Sequence, residues 1–236
     1  MKDFRLNENI RLSPQESMQQ AAEKVRKVFS DTVPASITRE NADKLLEARL
    51  NGKDIAEKRQ TVEQRIAKEW PGIRERLDFA SELKKCNPNY DLDMKWKVNC
   101  QRCVPTHEMR RRGYDVIAMP KPEADPYKLS YNPFSVWESP EIMRCSGSGM
   151  ENISDRMREW GDGARAQVVV FWKHTNAGHT FCAEQVNGKT VFYDPQTGKT
   201  DVSDYFRRVA PDTTLFCRID NQDVTERIRD CCKKVA

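Results

Sequence analysis

No apolar run in this 236-residue sequence approaches the roughly 20 residues needed to cross a bilayer. The first residues, Met1-Lys2-Asp3-Phe4-Arg5, are not followed by an apolar stretch, so no secretory signal is expected. Internal repeats and low-complexity tracts are lacking, which sets aside solenoids and arrays. A charge excess is nearly lacking too: 40 Lys and Arg face 36 Asp and Glu, and the net +4 is spread over mixed signs. Nucleic-acid binding normally needs a concentrated basic face, so no nucleic-acid partner is expected. Histidine is scarce at three residues, so imidazole chemistry falls on His107, His174 or His179.

Charged residues make up 32% of the chain and mean hydropathy is −0.81, a polar balance that limits the core. Aromatic and β-branched residues remain plentiful after residue 90, which keeps the chain out of the disorder regime. Eight cysteines are irregularly placed in a chain too large to need a disulfide framework. They read as mostly reduced thiols in an intracellular setting.

The pattern divides near residue 85. Residues 1–85 are expected to be helical, serving docking or delivery; 86–225 form the chemical domain; 226–236 form a tail. Ser13-Pro14-Gln15-Glu16 has a capping-box pattern, followed by Met18, Ala21, Ala22, Val25, Val28 and Phe29 at helical spacing. Thr38 opens a second expected helix, and residues 54–70 a third, charged one that continues past Pro71 through Ile73, Leu77 and Phe79. From residue 165, β-rich runs dominate at 167–173, 178–186 and 189–194. Residues 120–164 carry Pro, Gly and Ser punctuation and give little readable structure.

Residues 99–113 read as one helix that ends at Gly113. Cysteines at its start, Cys100 and Cys103, feel the positive pole of the helix dipole, which lowers a thiol pKa and favours the nucleophilic thiolate. Pro105 favours Cys103 as the cap, because proline is harmless only in the first turn. The Asn99-Cys100 pair opening a helix resembles the nucleophile segment of several papain-like hydrolases, which points to Cys100. The residues alone leave that choice open. Cys-x-x-Cys is also a zinc half-site that Cys231-Cys232 or His174 would complete. No second Cys-x-x-Cys or His-x-x-x-His accompanies it, so no metal or other cofactor is expected.

Asn187-Gly188 lies between two β-like runs and predicts a two-residue hairpin. Paired positions then sum to 375, with Asp194 opposite Phe181 and diagonal to His179. Their carbons would lie roughly 5–8 Å apart, within reach of a hydrogen bond between the side-chain tips. A carboxylate that fixes an imidazole facing a thiol is the arrangement a nucleophile requires. Gly178 allows close approach beside His179, and the face with Phe181 and Phe192 is expected to pack inward against the cysteine helix. His107 reads as a helix-surface residue and His174 as a strand end.

These residues resemble the papain-fold toxin family often described as glutamine deamidases, found in polymorphic toxins and phage minor head proteins. The resemblance is carried by Asn87-Pro88-Asn89-Tyr90, by the segment from Asn99-Cys100-Gln101-Arg102-Cys103 to Val116, and by Trp160-Gly161-Asp162-Gly163. It continues in Gly178-His179, Asp194-Pro195-Gln196-Thr197-Gly198 and Arg218-Ile219-Asp220-Asn221, covering about residues 86–222. It implies an α+β, papain-like fold with the nucleophile helix packed on an antiparallel sheet. It also implies a Cys–His–Asp triad of Cys100 (or Cys103), His179 and Asp194, acting on a protein glutamine side chain. The same triad would serve a cysteine protease, and a virion component carrying this domain as cargo is the other alternative. The partners implied are a protein substrate and an immunity protein or a virion or secretion component. The place of action implied is the bacterial cytoplasm, a target cell or a phage particle. Gln196 would line the site. Papain-like proteases carry an oxyanion-donating Gln about six residues before the nucleophile; here Met94 or Lys97 stands there. Asn99, Gln101 or helix-start amides would have to serve instead.

Overall fold

The structure, a computed structural model, describes residues 61–70, 78–124 and 129–235, all within the unit Gln60–Ala236. The helices expected before residue 54 lie outside the described residues, as do Ile73 and Leu77. In the described part of the third stretch, Thr61 caps helix α1 (Val62–Ile66) in a reciprocal capping box with Gln64. Asp78 caps α2 (Phe79–Cys86) by accepting the Ser81 amide. The short α3 (Met94–Lys97) then leads into α4 (Cys100–Arg111).

Five antiparallel strands form the main sheet: β2 (Met143–Arg144), β3 (Arg165–Phe171), β4 (Gly178–Val186), β5 (Lys189–Tyr193) and β6 (Leu215–Arg218). Their spatial order is β2-β6-β3-β4-β5. The hairpin register is the expected one: Val186 pairs with Lys189 and Cys182 with Tyr193, around Asn187 and Gly188 at φ 49° and 74°. The ladder ends at Tyr193, and Asp194 instead bridges Lys199 in a tight turn.

Both faces of this sheet are buried, because each strand alternates between two cores. One face, with Val169, Cys182, Tyr193 and Cys217, packs with Val104 and Met109 of α4. The opposite face, with Val168, Phe181, Ala183, Phe192 and Phe216, packs with Ile153 and Met157 of α5 (Met150–Trp160). Tyr205 and Phe206, from the 3-10 helix Ser203–Arg208, join that second core. The Phe181–Phe192 face therefore meets α5, whereas the sequence reading had placed it against the cysteine helix. Alternation identifies which residues share a face but cannot say which layer covers it when both are apolar.

Helix α4 is buried along its length, Gln101 to Arg110, although half of its side chains are polar or charged. Ion pairs satisfy the charges and tie the helix to its neighbours. Arg110 Nε meets Glu82 of α2 at 2.8 Å, and Arg111 meets Glu184 of β4 at 2.7 Å. Arg112 meets Glu63 of α1 at 2.6 Å, and Glu108 receives Arg165 of β3 at 2.7 Å. The three arginines thus anchor the helix laterally, beyond any favour from its dipole. Residues on both sides of the expected 86–225 span join the same packing. Val62, Ile66 and Leu83 share the α4 core, and α6 (Ile228–Cys231) and β7 (Cys232–Lys234) follow. Strand β7 pairs with β1 (Val116–Ala118), and Thr106 Oγ1 donates to the Cys231 carbonyl at 3.2 Å. Among the described residues, no helix is long and apolar enough to cross a membrane.

Candidate active site

Three polar groups from separate parts of the chain meet where α4 begins. Asn99 is the N-cap residue, and Cys100 is the first residue of the helix. The sequence reading had weighed Cys100 and Cys103 as caps; the helix instead starts one residue earlier and runs through Pro105. Proline there costs the hydrogen bond to the Gln101 carbonyl, a loss the burial of the helix absorbs.

The start of α4 is held against the turn after β5 by a cluster of buried amides. Asn87, at the end of α2, donates from Nδ2 to the Gln196 carbonyl and to the Trp96 carbonyl, both at 3.0 Å. Gln196 Nε2 donates to Asn99 Oδ1 at 3.2 Å. Asn99 Nδ2 donates to Asn87 Oδ1 at 3.2 Å and to the Met119 carbonyl at 3.0 Å. Asn99 and Gln196 are thus both enclosed, and Asn99 has spent both amide protons within the fold. Of the three residues expected as oxyanion or substrate groups, Gln101 alone touches Cys100. Its Oε1 lies 3.6 Å from the sulfur, and its Nε2 donates to Ser130 at 3.1 Å.

The same turn presents Asp194, which is fully buried. Its Oδ2 lies 3.0 Å from His179 Nε2 and accepts Thr197 Oγ1 at 2.9 Å and Tyr205 OH at 3.1 Å. Its Oδ1 accepts the Gln196 amide at 2.9 Å. Burial opposes ionisation, but these donors and the charge on His179 outweigh it, and the carboxyl stays below its ordinary value.

With Nε2 committed to Asp194, Nδ1 is the ring nitrogen left for Cys100, and the thiol and imidazole are close enough to shift each other's titration. Burial alone would neutralise both partners. The His179 charge and hydrogen bond, with the Thr180 backbone amide, instead lower the Cys100 thiol below its usual value. Reciprocally, burial would lower His179, but the Cys100 charge and the Asp194 hydrogen bond raise it to about 10. Each charge stabilises the other, so the pairing favours thiolate on Cys100 and imidazolium on His179.

Cys103 takes a different path. Its side chain is buried beside Cys86 and Ala118, and its sulfur donates to Asn99 Oδ1 at 3.3 Å. Burial, followed by Cys86, pushes its thiol well up. Burial likewise raises Cys145, Cys182, Cys217 and Cys232, so Cys100 moves in the opposite direction to these four thiols and Cys103. Among the described residues, no three His, Cys, Asp or Glu side chains converge as metal ligands.

Residues 98–199 match the family model described as papain fold toxin 1, glutamine deamidase. This segment is similar to that family. It carries the papain fold, in which α4 packs on the antiparallel sheet, and the family implies a papain-like cysteine hydrolase. No curated protein matches the chain.

Sequence reasoning missed three neighbours of this papain-fold site. Thr197 lies in the quoted Asp-Pro-Gln-Thr-Gly run, three residues from Asp194, and its hydroxyl was there to be weighed. Trp172 stacks on His179 at 6.0 Å, and Arg208 lies 4.9 Å above the Trp172 ring. That stack becomes legible only once β3 is paired with β4, Val170 opposite His179. Tyr205 has no local signal. His107, expected on the surface, is buried between Phe79 and Tyr193, with neither ring nitrogen hydrogen-bonded. His174 occupies the β3–β4 turn at φ 60° and is exposed. A cavity of about 260 Å³ lies behind the Asp194 turn, bounded by Lys84, Asn87, Tyr90, Gln196 and Thr197. Neither Cys100 nor His179 lines it, so it is separate from the reactive pair.

Proposed function

We propose that this chain is a protein-glutamine deamidase in which Cys100 is the nucleophile, His179 the acid–base group and Asp194 its orienting carboxylate. The observation that carries this reading is the paired perturbation of Cys100 and His179, thiol down and imidazole up, in a domain similar to the glutamine deamidase family. The Cys100 thiolate attacks the carboxamide carbon of a glutamine side chain. Negative charge then builds on the amide oxygen. The backbone amides of Cys100 and Gln101, which open α4 without a side-chain cap, are the donors proposed for it. Asn99 and Gln196 serve by fixing the helix start against the Asp194 turn.

His179, protonated before the attack, gives its proton to the departing nitrogen, and ammonia leaves. The thioester that remains is opened by water, from which His179 takes a proton, and glutamate is released. Asp194 stays ionised throughout and holds Nε2, so that Nδ1 faces the sulfur. The substrate is therefore a protein bearing an accessible glutamine, and a toxin or effector role follows from the family.

Two measurements test this reading. At neutral pH a chloroacetamide reagent should label one dominant cysteine, Cys100, and His179→Ala should abolish that preference. Ammonia release from a blocked glutaminyl peptide or a glutamine-rich protein should vanish in Cys100→Ala. Even labelling across the eight cysteines, or ammonia release that survives Cys100→Ala, would overturn it. Cleaved peptide with no ammonia would mark the domain as a protease instead.

A further inference from the structure

The reaction leaves Cys103 without a task, although it sits in the same helical turn as the nucleophile. We propose that Cys100 and Cys103 form a reversible disulfide latch that closes the site when a hydroperoxide oxidises Cys100. The latch rests on the reading of Cys100 as a reactive thiolate.

Geometry supports it in three ways. Cys100 and Cys103 are the first and fourth residues of α4, three apart on one helix, which sets their Cβ atoms about 5–6 Å apart. A disulfide needs about 3.5–4.5 Å, so the turn must tighten by roughly 1 Å. The helical hydrogen bonding of this turn is incomplete, although the Asn99 side chain is tied to Asn87, Gln196 and the Met119 carbonyl. Asn99 makes no side-chain cap bond, and Pro105 cannot donate to the Gln101 carbonyl. The turn is closed by the amides of Arg102 and Cys103, which bond to the Asn99 carbonyl at 2.8 and 3.1 Å. Finally, Cys100 is the half-exposed member of the eight cysteines, while the other seven are buried. A peroxide therefore meets Cys100 first, and Cys103 waits beneath it.

The chemistry balances in two steps. The Cys100 thiolate attacks a hydroperoxide oxygen, the O–O bond breaks, and the alkoxide leaves with a proton from His179. Sulfur is oxidised to sulfenic acid and the peroxide is reduced to an alcohol. The Cys103 thiol then attacks the Cys100 sulfur, the S–O bond breaks, and water departs with the Cys103 proton. Oxidation itself primes the second step. Burial, then the thiols of Cys86 and Cys100, hold Cys103 protonated. Converting Cys100 to a neutral sulfenic acid removes one negative charge that opposes Cys103 ionisation.

Peptide mapping of the full chain after mild hydrogen peroxide treatment decides the matter. Trypsin cuts after Lys97, Arg102 and Arg110, which places Cys100 in residues 98–102 and Cys103 in 103–110. The expected result is that these two peptides are joined without reductant and separate with it, and that Cys100 labelling is lost and then recovered. In Cys103→Ser, Cys100 should proceed to sulfinic or sulfonic acid and its labelling should not return. The latch is overturned if wild-type Cys100 gains two or three oxygens with no linked peptide. It is equally overturned if 103–110 is joined to 86–95 through Cys86. Prior chloroacetamide labelling separates the two readings: selective labelling of Cys100 without a later disulfide sinks the latch alone, and unselective labelling sinks the nucleophile as well.

Discussion

Asp194 Oδ2 lies 3.0 Å from His179 Nε2 and also accepts hydroxyl donors from Thr197 and Tyr205, so one oxygen is fixed from three directions. This crowding keeps the carboxylate charged in a dry setting and orients the ring that faces Cys100. Asp194→Asn keeps the shape and removes the charge. His179 then loses a partner that raises its pKa, and Cys100 loses thiolate at neutral pH. Each unit of pKa lost costs about tenfold in the charged fraction. Alkylation of Cys100 at pH 7 should fall by about tenfold or more, with the far-ultraviolet circular dichroism spectrum retained.

The pH profile of the same alkylation follows from the coupled pair. An ordinary thiol gains reactivity as pH rises through about 8.5. Here the thiol is lowered, and His179 holds its proton up to about 10, so the charged pair is favoured from lower pH than for an ordinary thiol. The rate should be level from neutral to weakly alkaline pH and fall only in acid, as the thiolate takes a proton. His179→Ala removes the partner while burial persists, so its profile should be low at pH 7 and climb only in alkali.

Much of this site was legible because hairpin arithmetic is local. Asn187-Gly188 fixed the turn, and the turn fixed the register as far as Cys182 and Tyr193, which leaves His179 and Asp194 at the same end of the hairpin. What the sequence could not convey was which layer covers each sheet face, since Phe181 and Cys182 are equally buried on opposite sides. Helix α5 escaped notice behind Gly149, which lacks a capping side chain, although Met150, Ile153, Met157 and Trp160 keep helical spacing. His107 misled for a different reason. Its neighbours Glu108, Arg110 and Arg111 look like a solvated face, and only the partners Arg165, Glu82 and Glu184 reveal them as ion pairs that tie the helix to its surroundings. Those partners lie far away in the chain.

The amide cluster makes Asn87 a positioning residue for the site. Its side chain ties the Gln196 and Trp96 carbonyls together, and Asn87→Ala leaves both buried acceptors short of a donor. The expected cost is about 1–3 kcal/mol in urea unfolding. Because the helix start and the Asp194 turn are then free to separate, Cys100 alkylation should slow as well. A stability loss with an unchanged alkylation rate would show that the cluster holds the fold but not the pair.

Gly178 precedes His179 on β4, and a Cβ added there would stand 2.8 Å from the Val170 carbonyl oxygen. That oxygen belongs to the neighbouring strand, so relief requires the strands to part at the residue carrying the imidazole. Gly178→Ala should cost about 1–3 kcal/mol, as overpacking does. It should also slow Cys100 alkylation at pH 7, whereas Gly188→Ala, strained at φ 74° but meeting nothing within 4 Å at the far end of the hairpin, should cost stability and leave the rate unchanged.

His107 gives the fold a sensitivity to acid that is separate from catalysis. Its ring is enclosed by Phe79 and Tyr193, with edge-on contacts at 6.2 and 5.2 Å, and neither nitrogen has a hydrogen-bond partner. Burial, followed by the charges of Arg111, Arg110 and Arg165, lowers its pKa to about 3, against an ordinary 6.5. The sign follows directly. Above about pH 6.5 the ring is neutral in both folded and unfolded chains, and its stability contribution is whole. Between about 6.5 and 3 the unfolded chain binds a proton that the folded chain refuses, so stability falls as pH falls, by about 1.4 kcal/mol per pH unit. His107→Phe fills the same aromatic box without a titrating group and removes two unsatisfied nitrogens. Relative to wild type, the variant should gain little at pH 8 and progressively more from pH 6 to pH 4, read as the difference in urea midpoints. A difference that stays constant over that range would mean that His107 does not resist protonation in the folded state.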